Sequence, residues 1–284
     1  MRFLKLTALL FALLFGAGVA LSAQELRTIR ILTIGNSFSE DAVENYLYEL
    51  GAAENIDFII GNAYIGGCSL ERHYNNAQQD KADYAYRKIQ QGRKTERKQT
   101  SLAYCIEDEA WDYVSFQQVS QLSGVYASYF PYLPELMAYV KQHLKNPKAT
   151  FVLHRTWAYA KDSNHGGFAN YNKDQNAMFR SIVKTTHKVA CQLKDIAFIV
   201  PVGTAIQNAR SSSKGDSLCR DGFHLDLKIG RYTAACTWFE KLTGISPVAN
   251  TAFPQGMSAE DVAIAQEAAH KAVKRPNRVT RIRK

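Results

Sequence analysis

Three residues of this chain have the types and the spacing for nucleophilic chemistry: Ser37, in the stretch Ile34-Gly35-Asn36-Ser37, and Asp221 and His224, in Asp221-Gly222-Phe223-His224. A serine hydroxyl is a weak nucleophile until a base takes its proton and a third group orients that base. An Asp three residues before a His, on a Gly-containing loop, can hold the imidazole Nδ1–H and leave Nε2 for a serine. Each piece alone says little. A Ser at a strand–helix junction is commonly just an N-cap, and an isolated D-x-x-H is commonly just a turn. The pieces gain meaning only if the fold brings them together.

The elements that must do so can be read from periodicity. Short apolar runs bounded by Gly or Pro at residues 29–34, 56–63, 113–116, 149–153 and 196–200 predict five buried strands. Helical stretches are predicted at 40–53, 101–110, 132–144, 173–193, 202–211, 227–242 and 259–273. Strands alternating with helices argue for a single doubly wound α/β/α sandwich on a five-stranded parallel sheet, flavodoxin-like in its layering. Ser37 then falls where the first strand hands over to the first helix, at the carboxyl edge where open α/β sheets bind ligands. The following helix start favours negative charge developing there. A second strand leads into Gly66-Gly67, where the backbone can approach a ligand closely or merely turn. The polar stretch 71–100 has no clear period, and Ile89-Gln90-Gln91-Gly92 within it suggests a small hairpin or an irregular excursion.

Gly35-Asn36-Ser37 early, Gly67 after the second strand, and Asp221 with His224 late and close together resemble the blocks of the SGNH/GDSL hydrolases. The likeness runs from about Arg30 to Gly244. It implies the fold of that superfamily, a Ser37-His224-Asp221 triad, and an oxyanion hole made by the N–H groups of Ser37 and Gly67 with a side-chain amide. The third block departs from the family's G-x-N-D. Here the third strand is followed by Gln117-Gln118, which resembles a secreted branch with WDYV-x-x-Q and DGFH blocks. A Gln amide can donate as Asn does, so Gln117, or else Gln118, is expected to serve the oxyanion.

What the chain acts on is written more faintly. Tyr126, Tyr129, Phe130, Trp157 and Tyr159 fall in loops expected at the rim, where aromatic rings suit sugar faces, and Arg155 lies beside them. Trp157, Arg155 and Tyr126 are therefore candidate substrate contacts. For any one ring, packing beneath a loop is the commoner role. The resemblance to Gln-bearing carbohydrate esterases implies an O-acetyl ester of a carbohydrate. A thioesterase or lysophospholipase on the same fold, and a catalytically weak glycan-binding protein, are the alternatives.

Composition narrows the setting. Arg2 and Lys5, an apolar run over residues 6–21, and small residues before Gln24 predict a cleaved secretory signal of residues 1–23, with a cut after Ala20 as the other site. Residues 24–284 then form the α/β domain, exported to the periplasm or beyond, with no stable membrane anchor once the signal is removed. The formal charge of +9 falls to +7 without Arg2 and Lys5, and much of it lies in residues 271–284, whose basic tail (about 275–284) is expected to be solvated and partly frayed. Nucleic acid is not an expected partner, and a small-molecule or glycan ester is. No G-x-G-x-x-G, Walker loop or zincin spacing occurs, so neither a cofactor nor a metal is expected. Five cysteines match no zinc pattern and leave at least one without an intramolecular partner.

Overall fold

A computed structural model describes residues 26–283. The signal expected over residues 1–23 lies outside them. The strands are β1 (Arg27–Gly35), β2 (Ile56–Tyr64), β3 (Tyr84–Gln90), β4 (Arg93–Thr100), β5 (Tyr113–Phe116), β6 (Thr150–His154) and β7 (Ile196–Val200). They form one sheet in the order β4-β3-β2-β1-β5-β6-β7. The five expected strands are β2, β1, β5, β6 and β7, and they pair in parallel. The sheet is nevertheless seven-stranded, because β3 and β4 add an antiparallel hairpin beside β2. The five-stranded expectation is corrected on this point.

The reason the hairpin escapes periodicity is its chemistry. β4 reads RKTERKQT and is exposed at every position but Thr100. An edge strand covered in charge resists pairing with other chains, and it looks like a polar loop in sequence. Its turn is Gln91-Gly92, both at positive φ, 51° and 69°, the geometry of a two-residue hairpin loop.

The helices are α1 (Ser37–Val43), α2 (Leu47–Ala52), α3 (Leu70–Gln78), α4 (Leu102–Glu107), α5 (Tyr132–His143), α6 (Gln175–Gln192), α7 (Val202–Ala209), α8 (Ile229–Thr243) and α9 (Ala259–Lys274). The helix expected over 40–53 is two. The Asn36 side chain caps it early, accepting from Phe38 N–H at 3.0 Å, and Tyr46 breaks it at φ 66°. α3 was not legible; it starts where the Ser69 hydroxyl accepts from Arg72 N–H.

Alternation along β1 divides the core. Ile29 and Ile31 enter the layer with α1, α2 and α6–α9, while Leu32 and Ile34 enter the layer with α3, α4 and α5. The tail is not frayed: Ile282 is buried, and the N–H groups of Thr280 and Ile282 donate to Asn208 and Ser211. The five cysteines form no disulfide, and three of them, Cys68, Cys105 and Cys236, are buried as core filling. No helix among the described residues is long and apolar enough to cross a membrane.

Candidate active site

Gly35 ends β1 level with Tyr64 at the end of β2. The chains leaving these two strands are then tied together. Ile65 N–H donates to Gly35 O at 3.3 Å, and Asn36 Nδ2 donates to Cys68 O at 2.9 Å. Between them, Cys68 N–H closes a turn onto Ile65 O with Gly67 at φ 60°. A side chain at Gly67 would meet nothing, so the backbone angle, not space, calls for glycine there. The N–H groups of Ser37 and Gly67 have no internal acceptor among the described residues, and both residues line one cleft of about 390 Å³.

The other wall comes from the far end of the chain. Residues 219–225 fold back on themselves through a bridge between Cys219 and Leu225 and an Arg220 N–H to His224 O bond of 2.9 Å. Asp41 anchors this loop to α1. Its buried carboxylate accepts from Leu225 N–H at 2.8 Å, from Arg231 Nε at 2.8 Å and from Arg220 Nη1 at 3.1 Å. On the opposite side Ala160 N–H holds Gly222 O at 2.8 Å, and Trp157 Nε1 holds Phe223 O at 2.7 Å.

The outcome is a chain of three side chains. His224 Nε2 lies 2.8 Å from Ser37 Oγ, and His224 Nδ1 lies 2.6 Å from Asp221 Oδ2. Asp221 Oδ1 accepts from the N–H groups of His224 and Phe223 at 2.7 and 3.2 Å. Burial acts to raise the Asp221 carboxyl, but the imidazole and the two N–H groups outweigh it and hold it below the ordinary carboxylate range. An ionised Asp221 can only accept, so Nδ1 carries the proton and Nε2 is free to accept from Ser37. Phe223 packs on the His224 ring at 4.2 Å.

The remaining sequence candidates do not come to the cleft. Gln117 and Gln118 are both buried and neither lines it. Gln117 Nε2 donates to Asn36 Oδ1 at 2.8 Å and its Oε1 faces His154 Nδ1 at 2.9 Å. Gln118 Oε1 accepts from Leu70 and Val119 N–H groups, and its Nε2 donates to Ser128. Their carboxamides act as ties within the protein, which corrects the expectation of an oxyanion donor. Trp157 is fully buried, stacked on Phe38 at 4.2 Å beneath the Phe223 carbonyl. Arg155 is fully buried, and Thr186, Thr204, Asn277 and the Pro276 carbonyl satisfy its guanidinium. Tyr126 packs against α6, with Lys188 Nζ over its ring and its hydroxyl on Gln192. All three are therefore corrected from substrate contacts to parts of the frame.

The cleft wall is made instead by Glu40, Tyr64, Ser120, Gln121, His165 and Arg220. Glu40 is held by Arg87 of β3 at 2.9 Å, and Arg87 also stacks on the Tyr64 ring at 3.8 Å. Burial acts to raise the Glu40 carboxyl, and the Arg87 hydrogen bond and charge lower it further than that. The charged hairpin thus braces one side of the cleft. Among the described residues no cluster of His, Cys, Asp and Glu suited to a metal ion occurs.

The model of the family described as a domain of unknown function, DUF4886, matches residues 30–272. The chain belongs to the DUF4886 family. A crystal structure of a DUF4886 family protein from Bacteroides uniformis is 51% identical, with 90% of this chain and 98% of that one covered and a TM-score of 0.88. A candidate SGNH hydrolase from Slackia heliotrinireducens is 18% identical over 76% of this chain and all of that one, with a TM-score of 0.51. That likeness shows that this DUF4886 chain shares the SGNH-hydrolase fold. No curated protein matches. The family match spans both Ser37 and His224, so one domain model carries both halves of the site.

Proposed function

We propose that this protein is an exported serine esterase that removes O-acyl groups, foremost O-acetyl, from a carbohydrate. One observation carries the reading: the continuous line from Ser37 Oγ through the His224 ring to Asp221, with spacings of 2.8 and 2.6 Å. In the first half-reaction His224 Nε2 takes the Ser37 proton as Oγ attacks the ester carbonyl. The negative charge moves to the carbonyl oxygen, which the N–H groups of Ser37 and Gly67 hold. His224 returns the proton to the alcohol oxygen as the C–O bond breaks, leaving an acyl group on Ser37. Water then attacks that acyl-enzyme by the same steps, releasing the acid and restoring Ser37.

The substrate class is supported by the cleft wall, where Glu40, Ser120, Gln121, Arg220 and the Tyr64 hydroxyl supply polar groups suited to hydroxylated ligands. Export is supported by the basic, apolar and small-residue order of the first residues. The test is acetate release from a panel of acetylated glycans by the wild type and by Ser37→Ala. Release by the wild type alone is the expected result. Cleavage of 4-nitrophenyl acetate without glycan release would keep the esterase and discard the carbohydrate. Silence on both would favour a glycan-binding protein.

A further inference from the structure

His165 is a second imidazole in the cleft wall, and the steps above give it no task. It precedes Gly166-Gly167, and Gly167 N–H donates to its Nδ1 at 3.0 Å. Nδ1 therefore carries no proton, and in the neutral ring the proton sits on Nε2. Nε2 has no partner among the described residues and is not one of the buried unpaired atoms. It is an open N–H donor at the cleft. Burial lowers the pKa of His165, and the neighbouring His224 lowers it further against the pull of Asp221, which keeps the ring neutral at ordinary pH.

The orientation of this ring is built in. It packs against both Tyr159 and Phe223, each 4.9 Å away between centroids. The segment after it is clamped to Gln121, whose carbonyl accepts from Asn170 Nδ2 at 3.0 Å and Tyr171 OH at 3.1 Å. A Cβ on Gly167 would come within 2.2 Å of Gln121 Cβ. Only glycine allows the approach that lets its N–H fix the tautomer.

The side of the cleft follows from the reaction. His224 must hand its proton to the leaving oxygen, so the alcohol part of the ester lies over His224. Phe223 touches His224 on one hand and His165 on the other. His165 therefore lies next to His224 across Phe223, on the side where the alcohol part is expected.

We infer that His165 is a specificity-determining residue whose Nε2–H binds an oxygen of the polyhydroxylated alcohol part of the ester. This rests on the proposed carbohydrate esterase activity.

The test compares kcat/KM for partially acetylated xylo-oligosaccharides with that for 4-nitrophenyl acetate, whose alcohol part offers no hydroxyl. In His165→Phe, which keeps an aromatic ring against Tyr159 and Phe223, the saccharide-to-aryl ratio is expected to fall about tenfold, the worth of one hydrogen bond. In His165→Gln, whose amide can present a donor near the Nε2 position, most of the ratio should return. A merely structural role would lower both rates together and leave the ratio unchanged, which would overturn the inference, as would no recovery in His165→Gln. A wild type that cleaves the aryl ester and not the saccharides would overturn the carbohydrate reading and this inference with it. A wild type that cleaves neither would overturn the esterase itself.

Discussion

Gln117 Nε2 donates to Asn36 Oδ1 at 2.8 Å, so the residue immediately before Ser37 is steered from the end of β5. The other end of the same carboxamide faces His154 Nδ1 at 2.9 Å. His154 is fully buried, and burial pushes its pKa down to about 3, so it is neutral. The Gln117 oxygen needs a donor there, which places the His154 proton on Nδ1 and fixes which way the carboxamide points. Asn36 in turn holds Phe38 N–H and Cys68 O, the two sides of the proposed oxyanion hole.

Gln117→Leu should therefore cost both stability and rate. It leaves the His154 N–H buried and unpaired, a loss of about 1–3 kcal/mol. It also frees Asn36, so kcat for 4-nitrophenyl acetate should fall while KM moves little. Urea unfolding and steady-state rates check the two parts separately. An unchanged unfolding midpoint would show that the tie is not made in solution.

Asp221→Asn tests the orienting role. An amide beside His224 Nδ1 can donate, which would push the imidazole proton to Nε2 and remove the base from Ser37. Loss of kcat on the order of 10³–10⁴-fold is expected. The unfolding midpoint should change little, because Asp221 is exposed. A variant within tenfold of wild type would remove Asp221 from the mechanism.

Stability should fall on the acid side of pH 6.5. His73 and His154 are both fully buried, and burial lowers each to about 3. The unfolded chain takes up these protons near pH 6.5, and the folded chain does not until about pH 3. The stabilisation is thus complete above pH 6.5 and is lost progressively as pH falls toward 3. Each histidine contributes a slope of up to about 1.4 kcal/mol per pH unit. The depressed carboxyls of Asp221 and Glu40 act in the same direction at lower pH, below their unfolded values near 4. Denaturant midpoints between pH 7 and 4.5 give the readout. A flat profile between 6.5 and 5 would contradict the burial of both rings as neutral species.

Removing residues 275–284 should destabilise the domain rather than trim a loose end. Arg155 is a buried cation with no carboxylate against it among the described residues, and desolvation lowers its pKa to about 10. Asn277 accepts from its Nη2 at 3.0 Å and the Pro276 carbonyl from its Nη1. Losing two charge-assisted bonds costs about 1.5–3 kcal/mol each, less whatever water regains. Arg155→Met should cost less in the shortened chain than in the full one, since the two changes share one interaction. Strictly additive losses in a thermal or urea series would refute the coupling.

The parallel strands β1, β2, β5, β6 and β7 were legible in the sequence because strands packed between helical layers are written as largely apolar runs, even where the edge strand β7 leaves Ala197 exposed. The residue types also marked Ser37, Asp221 and His224 as candidates for a nucleophile, an orienter and a base, and the structure brings their side chains into one hydrogen-bonded line. Gly67 was legible for a similar reason, its positive φ being a demand that sequence shows as glycine. Roles set by partners distant in the chain were not legible in this way. Arg155 and Trp157 sit where a rim residue would, yet contacts with 276–277 and with Phe223 bury them. Gln117 has the chemistry of an oxyanion donor, but Asn36 and His154, 81 and 37 residues away, occupy its amide. Asp41 looks like any helix-surface acid until Arg220, Leu225 and Arg231 converge on it from 179 to 190 residues on. Residue type fixes what a side chain can donate or accept, and the long-range packing of the chain fixes to whom.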